Sequence, residues 1–199
     1  MNYLVTGGSG YLGTFVRQFF EASDFSRRSS LNILDDVDAQ IVENYDVVIH
    51  LAGHLDKNPE GAEECFRTNA DGTRNIISRM RPGSVFIYAT TKDVYGGQAN
   101  AYEFVPEDCP LEPNPATAFE LSKLIGERYV EFYARQRGIR ASIFGLWPTG
   151  LVRRVKSFSK SRHEGHEGRE GHEEKNFLHE PNVLYVLQPN SLTPRFRAS

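Results

Sequence analysis

The chain has 199 residues, of which 39% are hydrophobic, and a formal net charge of −3 at pH 7. This length suffices for one well-packed domain, and the charge argues against a general nucleic-acid binder or a membrane-surface binder. The two cysteines, Cys65 and Cys109, lie far apart without a partner pattern, so we expect reduced thiols in a cytoplasmic protein. Because Met1 leads directly into a strand pattern, we expect no signal peptide, and no apolar run is long enough to span a membrane.

The chain opens with the pattern of a strand, a glycine turn and a helix. β-forming residues at 3–5 run into Thr-Gly-Gly-Ser-Gly-Tyr-Leu-Gly, and apolar residues then recur at helical spacing over 12–20. In such a turn Gly7 permits the tight bend, Gly10 lets the backbone approach a pyrophosphate, and Gly13 lets the helix pack closely on the strand. The helix start presents free N–H groups to phosphates. The pattern therefore predicts a dinucleotide site.

The spacing Gly-x-x-Gly-x-x-Gly, within the sequence Val-Thr-Gly-Gly-Ser-Gly-Tyr-Leu-Gly, resembles the glycine motif of the extended short-chain dehydrogenase/reductase family. Members of that family include NAD(P)-dependent nucleotide-sugar epimerases, dehydratases and reductases. The resemblance implies a Rossmann-like α/β domain over residues 1–150 with a doubly wound, largely parallel sheet. It also implies NAD or NADP as cofactor, a nucleotide sugar as substrate and a homodimer formed through the long helices.

Two alignments describe the segment after the first helix. Residues 23–30 are polar and predict a loop, and Leu-Asn-Ile-Leu follows at 31–34. If residues 31–34 form the second strand, Asp35 accepts from the adenosine ribose hydroxyls, which favours NAD. If they instead resemble the family's third-strand motif beside the adenine, Arg27 and Arg28 face a 2′-phosphate, as in reductases that use NADP. We lean slightly towards the second alignment, although both arginines also suit a solvated loop.

Residues 46–53 form a continuous apolar run, typical of a parallel strand that is buried on both faces. The run resembles the family strand whose end passes beside the cofactor, where Ala52 and Gly53 leave room. We interpret His50 as a hydrogen-bonded core histidine rather than a metal ligand, since no carboxylate or cysteine stands at ligand spacing.

A helix is predicted over residues 59–80, with Arg-Pro-Gly as its stop. Within it, Asn-Ala-Asp-Gly-Thr-Arg-Asn at 69–75 resembles the family segment Asn-x-x-Gly-Thr-x-Asn. The resemblance implies that Asn69 braces the active-site strand and that Gly72 allows close helix packing. Because glycine inside a helix costs about 1 kcal/mol relative to alanine, we expect a compensating contact at Gly72.

A strand and its exit loop are predicted over 84–96, a long helix over 116–137 closed by Gly138, and a further strand over 139–147. Two threonines at a strand end reflect β-propensity when taken alone. The trailing Val-Tyr-Gly at 94–96 resembles the family, and it implies that Thr91 hydrogen-bonds the reacting oxygen.

The family carries its chemistry on the long helix as Tyr-x-x-x-Lys. Residues four apart share a helical face, so the ammonium lies beside the phenol and lowers its pKa for proton exchange with the substrate. This chain reads Phe-Glu-Leu-Ser-Lys, which leaves Lys123 in place and puts Phe119 in the tyrosine position. Phenylalanine has no hydroxyl proton to exchange, so we expect either impaired activity or a non-catalytic cofactor-binding or sensor protein.

The complete predicted site follows from these segments. Its catalytic positions are Thr91 and Lys123, with Phe119 in the tyrosine position. Its cofactor-binding residues are Gly7, Ser9, Gly10, Tyr11, Leu12, Gly13, Asp35, Leu51, Ala52, Gly53, Thr90 and Lys123.

The resemblance stops near residue 150. Residues 161–174 form a charged near-repeat of His/Arg-Glu-Gly without an apolar face, which predicts disorder over 151–199. We expect only Val152, Val155 and Phe158 to dock there, as one helical turn. A coding sequence interrupted near residue 150, leaving a C-terminally truncated member or a non-functional fragment of the family, accounts best for this tail.

Overall fold

The structure, a computed structural model, describes residues 1–102, 105–106 and 109–146, together with the backbone of 156–158. These residues form one six-stranded sheet in the order β2-β1-β3-β4-β5-β6. The strands are β1 (Tyr3–Thr6), β2 (Ser23–Phe25), β3 (Val47–His50), β4 (Val85–Thr91), β5 (Arg140–Leu146) and β6 (Lys156–Phe158). The first five are parallel and β6 is antiparallel to β5. The predicted doubly wound, largely parallel sheet is confirmed.

The helices connect successive strands. They are α1 (Tyr11–Phe20), α2 (Asp36–Ala39), α3 (Ala62–Cys65), α4 (Gly72–Ile77) and α5 (Ala118–Arg137). A π-helical turn, Phe66–Asp71, joins α3 to α4, and 3₁₀ turns cover Arg27–Ser29, Gln40–Asn44, Pro59–Gly61 and Lys92–Ala101. In the part of the chain that the structure describes, no helix is long and apolar enough to cross a membrane.

The sheet buries apolar side chains on both faces because successive strand residues point to opposite sides. On β1, Leu4 joins the larger cluster with Phe86, Tyr88 and residues of α4 and α5. Its neighbour Val5 joins the smaller cluster, which is packed against α1 through Val16. Helices therefore cover both faces, as a doubly wound fold requires.

Local signals define both ends of α5. Thr117 accepts from the Glu120 N–H, and the Glu120 side chain accepts from the Thr117 N–H, which forms a capping box at the helix start. Gly138 ends the helix in the left-handed region at φ 67°. The predicted helix and its glycine stop are confirmed.

The polar loop predicted over residues 23–30 is wrong in its first part, because residues 23–25 form β2. This strand is held by its parallel register with β1, and Phe25 is its one fully buried side chain. Residues 31–34 form no strand and lead into α2. Both alignments are therefore wrong in making them a strand, whether the second strand or the favoured third strand beside the adenine, because the stretch between Phe25 and Val47 holds no strand.

The prediction that Phe158 lies in a helical turn is also wrong. Phe158 lies in β6, whose backbone pairs with β5 at Ala141. The predictions for Val152, Val155, residues 147–150 and the remainder of the tail lie outside the described residues.

Candidate dinucleotide and active site

The glycine turn leaves no room for side chains at two of its three motif positions. Gly7 has a φ of 69°, and a Cβ added there would lie 2.8 Å from the backbone nitrogen of Ala52. A Cβ on Gly13 would collide with the Gly7 carbonyl and lie 2.7 Å from the Gly8 Cα. Gly10 is different, because a Cβ there would meet only the Gly7 carbonyl oxygen, at 3.2 Å. The surface above Gly10 is thus open, as the approach of a pyrophosphate requires.

The start of α1 adds hydrogen-bond donors to this open surface. Gly10 is its N-cap and supplies no side-chain hydrogen bond to the first turn. Ser9 is half-buried before the helix, Tyr11 is 88% exposed, and Leu12 packs partly into the smaller cluster. A ten-residue helix that begins with uncapped N–H groups at a glycine turn fits a dinucleotide pyrophosphate.

The chain leaving β3 passes directly beside the glycine turn. The Leu51 N–H donates to the Thr6 carbonyl at 3.1 Å, and the Ala52 N–H donates to the Thr6 hydroxyl at 3.3 Å. A Cβ on Gly53 would lie 3.3 Å from the Lys123 Nζ. Residues 51–53 therefore join the glycine turn on one side to α5 on the other.

His50 fills the core beneath this crossing point. Its ring nitrogens are hydrogen-bonded to the hydroxyls of Thr6, at 2.8 Å, and Thr73, at 3.0 Å. Burial, with the positive charge of Lys123 nearby, lowers the pKa of His50 from 6.5 to about 3, so the ring is neutral at pH 7. The interpretation of His50 as a satisfied core histidine is confirmed.

Lys123 is the buried cation of the site and is only 7% exposed. Its ammonium donates to the Ala89 carbonyl at 3.0 Å and lies 5.1 Å from the centre of the Tyr88 ring. Burial lowers the pKa of Lys123 to about 8, and the Glu127 carboxylate one turn further along α5 opposes this fall. An ammonium kept out of water beside an exposed glycine is suited to hydrogen-bonding a ligand hydroxyl.

Asn69 holds the loop after β3 and the α5 helix together. Its amide group exchanges two hydrogen bonds with the His54 backbone, at 2.8 and 2.9 Å, and donates to the Ser122 hydroxyl at 3.0 Å. The side chain is completely buried. Asn69 thus braces the loop after β3 against α5, and its predicted bracing of the active-site strand stays a prediction. Gly72 has its expected close contact, with the side chain of Ile33.

The two threonines at the end of β4 have different environments. Thr90 is 2% exposed and its hydroxyl donates to Glu127 at 2.8 Å, so this hydroxyl is engaged inside the core. The Thr91 hydroxyl accepts from the Asp93 N–H at 3.2 Å, and the residue is only half-buried. Of the two residues, Thr91 is therefore the more exposed.

Phe119 lies one helical turn before Lys123 and is 4% exposed. The next residue along α5, Glu120, belongs to a charged cluster with Lys57 and Asp93. The Lys57 ammonium is 2.8 Å from an Asp93 oxygen and 3.8 Å from a Glu120 oxygen. The hydrogen bond with Asp93 raises the pKa of Lys57, which keeps this amine protonated at neutral pH.

Asp35, one of the predicted cofactor-binding residues, has a structural role as a helix cap. Its carboxylate accepts from the N–H groups of Val37 and Asp38, at 2.8 and 3.0 Å, and so caps α2. Its contact with a cofactor stays a prediction, as do the ligand contacts of the other site residues.

Sequence reasoning missed three supporting residues. Glu127 is fully buried and binds Thr90, and Gly126 lets α5 approach Tyr88 and the Asn69 carbonyl. Ser26 follows β2 immediately and donates to Asp24 at 2.9 Å. A carboxylate four residues after Lys123 on an otherwise buried face is the signal that points to Glu127.

The parallel sheet, the glycine turn and the buried lysine define an α/β protein of the dinucleotide-binding class. A sequence profile of the NAD dependent epimerase/dehydratase family matches residues 3–147, and the chain belongs to this family.

The similar proteins include a dTDP-glucose dehydratase and proteins solved with bound NAD or NADPH. dTDP-glucose 4,6-dehydratase of Mycobacterium tuberculosis is 29% identical over 173 residues, which is 72% of this chain and 52% of that protein. A short-chain dehydrogenase/reductase superfamily protein from Agrobacterium tumefaciens with bound NAD superposes with a TM-score of 0.61, at 25% identity, over 72% of this chain and 48% of that one. RMD from Pseudomonas aeruginosa complexed with NADPH gives 0.57 at 24% identity, over 72% and 53%. The chain spans about half the length of the curated relatives it matches.

Proposed function

We propose that the chain binds a nicotinamide dinucleotide across the carboxyl ends of β1, β3 and β4. The pyrophosphate lies on Gly10 and the free N–H groups of α1, and the ammonium of Lys123 beside Gly53 hydrogen-bonds the nicotinamide ribose. The observation that carries the proposal is the shape of the glycine turn. Gly13 lies in close contact with Gly7, and the surface at Gly10 is open towards the ligand. A bound nicotinamide ring supplies hydride exchange, and the residues named here orient it.

The proposed substrate is a nucleotide sugar that undergoes hydride transfer at a sugar carbon. The family and the dTDP-glucose dehydratase relative support this substrate class. Thr91, a half-buried residue at the end of β4, hydrogen-bonds the reacting oxygen of the sugar through its hydroxyl. Lys123 provides positive charge next to the ligand.

The phenylalanine at position 119 limits the rate of this reaction. A general acid or base contributes about 10²–10⁴-fold in rate, and no phenol stands at Phe119 to supply it. The Lys57 amine cannot replace the phenol, since its raised pKa holds the proton firmly. We therefore expect cofactor binding together with slow turnover.

A non-catalytic cofactor-binding or sensor protein is the second candidate. Phe119 favours it, because the side chain preserves the buried shape at this position without carrying a proton. The two candidates share cofactor binding and differ only in turnover.

Binding and turnover separate these possibilities. A nicotinamide nucleotide at 100 times its Kd adds about 2.7 kcal/mol to stability, which is visible as a higher melting temperature. The absence of any shift with NAD, NADH, NADP and NADPH would reject cofactor binding. Turnover of a nucleotide-sugar panel then tests catalysis, with Phe119→Tyr expected to raise the rate. Phe19→Tyr, which adds a phenol at a 55%-exposed position of α1, is the control.

We also propose a cytoplasmic homodimer that associates through α5. Leu121 and Phe132 are exposed large apolar residues three turns apart on this helix, at 39% and 56%. Light scattering on the wild type and on Phe132→Asp tests the dimer, and a monomeric wild type would reject it.

A further inference from the structure

A completely buried carboxylate lies one helical turn after Lys123 on α5. Glu127 has no exposed surface, and glutamate is rarely found in a protein interior unless it is paired. Its side chain accepts a hydrogen bond from the Thr90 hydroxyl at 2.8 Å, and Thr90 is 2% exposed. Because residues four apart share a helical face, Lys123 and Glu127 both face β4. The cofactor contacts proposed above do not explain why this carboxylate is buried here.

Two neighbouring residues at the end of β4 are held by these two side chains of α5. The Lys123 ammonium donates to the Ala89 carbonyl at 3.0 Å, and the Thr90 hydroxyl donates to Glu127. Thr91, which carries the hydroxyl proposed for the reacting oxygen, is the next residue of the same strand. The two contacts thus fix the strand end and the ammonium relative to each other.

The groups that face the Lys123 ammonium from the surrounding elements differ in their electrostatic effect. His50 of β3 is neutral at pH 7, and Tyr88 of β4, whose pKa burial raises, presents an uncharged ring. Burial lowers the pKa of Lys123 to about 8. The Glu127 carboxylate opposes this fall most strongly, and Cys65 of α3 opposes it less. Glu127 therefore favours the protonated lysine more than any other of these groups does.

We propose that Glu127 is a positioning residue of the cofactor site, which keeps the Lys123 ammonium charged and in place for the ribose of the dinucleotide. This inference rests on the proposed dinucleotide site and adds a residue that acts through Lys123. A hydrogen bond from a charged donor contributes more than one from a neutral donor, so loss of the Lys123 proton lowers the affinity for the cofactor about 10-fold.

The test measures the affinity for nicotinamide nucleotides by fluorescence between about pH 6 and pH 9.5, without any substrate. Whichever of NADH and NADPH binds more tightly is used, since the titration of the ligand is common to all variants. Glu127→Gln keeps an oxygen that can accept from Thr90 and removes the charge. We expect its affinity to be about 10-fold below that of the wild type near pH 7.5, with a difference that shrinks towards pH 6.

Glu131→Gln is the matched control, because it removes a carboxylate one turn further along α5, where Glu131 pairs with Arg128. Its pH profile should equal that of the wild type. An NMR titration of the Lys123 side chain without nucleotide gives a second readout, in which the midpoint lies at lower pH in Glu127→Gln. Thr90→Val, which retains the carboxylate and removes its hydrogen bond, should weaken binding throughout the pH range.

A pH profile of Glu127→Gln identical to that of the wild type would overturn the inference. A loss of affinity in Glu127→Gln that is the same at every pH would also overturn it, because it would show a structural role alone. If Glu127→Gln does not fold, wild-type affinity that stays constant between about pH 7 and pH 9.5 has the same meaning. Binding of no nucleotide by the wild type at any pH would instead reject the proposed function itself.

Discussion

Replacing Lys123 with methionine should stabilise the folded protein at neutral pH, although it removes a cofactor contact. Methionine has similar length and no charge to desolvate. Burial lowers the pKa of Lys123 from 10.5 to about 8. This difference corresponds to about 3 kcal/mol of free energy that opposes folding while the lysine is charged.

The pH dependence isolates this contribution from the other effects of the substitution. Between about pH 8 and pH 10.5 the unfolded chain keeps the Lys123 proton and the folded chain has released it. Wild-type stability therefore rises with pH across this window, whereas the contribution is absent from Lys123→Met. The stability of the variant relative to the wild type should fall by about 3 kcal/mol from pH 7.5 to 10.5, or by about 6–12 °C in melting temperature.

The assay is urea unfolding and thermal melting of both proteins without nucleotide, at closely spaced pH values. Lys57→Met is the control, because the pKa of Lys57 is raised rather than lowered and its side chain is half-exposed. In a Glu127→Gln background the lower edge of the window should move to lower pH, since the carboxylate that opposes the fall in the folded-state pKa is gone. A difference between Lys123→Met and the wild type that does not change with pH would refute a desolvated ammonium at this position.

Three further predictions concern the core, the turn and the helix cap. Because the folded chain takes up the His50 proton only near pH 3 whereas the unfolded chain takes it up near pH 6.5, stability should fall by up to about 5 kcal/mol as the pH drops through this range. Urea titrations should show this acid loss and His50→Gln should lack it; equal acid sensitivity of the two would contradict the buried neutral ring. Gly13→Ala should lower the melting temperature and abolish the nucleotide-induced shift, whereas Gly97→Ala, which has open space around it, should do neither. Thr117→Ala should lower the free energy of unfolding by about 1 kcal/mol in denaturant titrations through loss of the α5 cap, and an unchanged value would show that the cap contributes nothing.

The elements that the sequence predicted well have strong local signals. Glycines at 7, 10 and 13 can take the required conformations and close contacts with little help from distant residues. The continuous apolar run at 46–53 indicates a strand buried on both faces, and α5 has both a capping box and a glycine stop. In each case the determining residues lie within a few positions of the element that they define.

The elements that could not be predicted from the sequence depend on contacts between distant parts of the chain. β2 is three residues long with one fully buried apolar side chain, and it forms because β1 offers a free edge. The burial of Lys123 and the bond between Thr90 and Glu127 arise only when α5 packs against β4. No spacing within either segment indicates how deep a given side chain lies or which partner it meets.

The π-helical turn between α3 and α4 has a consequence for how this chain aligns with other sequences. An α-helix advances about 100° per residue, and a π-turn accommodates one residue more than an α-turn in the same rise. On its two sides, Cys65 faces the loop after β3 while Gly72 faces Ile33. A sequence whose helix is α-helical throughout needs one residue fewer to present the same two faces. A gap of one position in that other sequence, opposite residues 66–71, therefore preserves the structural correspondence. Without the gap, each residue on one side of the turn is aligned with a residue whose side chain points about 100° away.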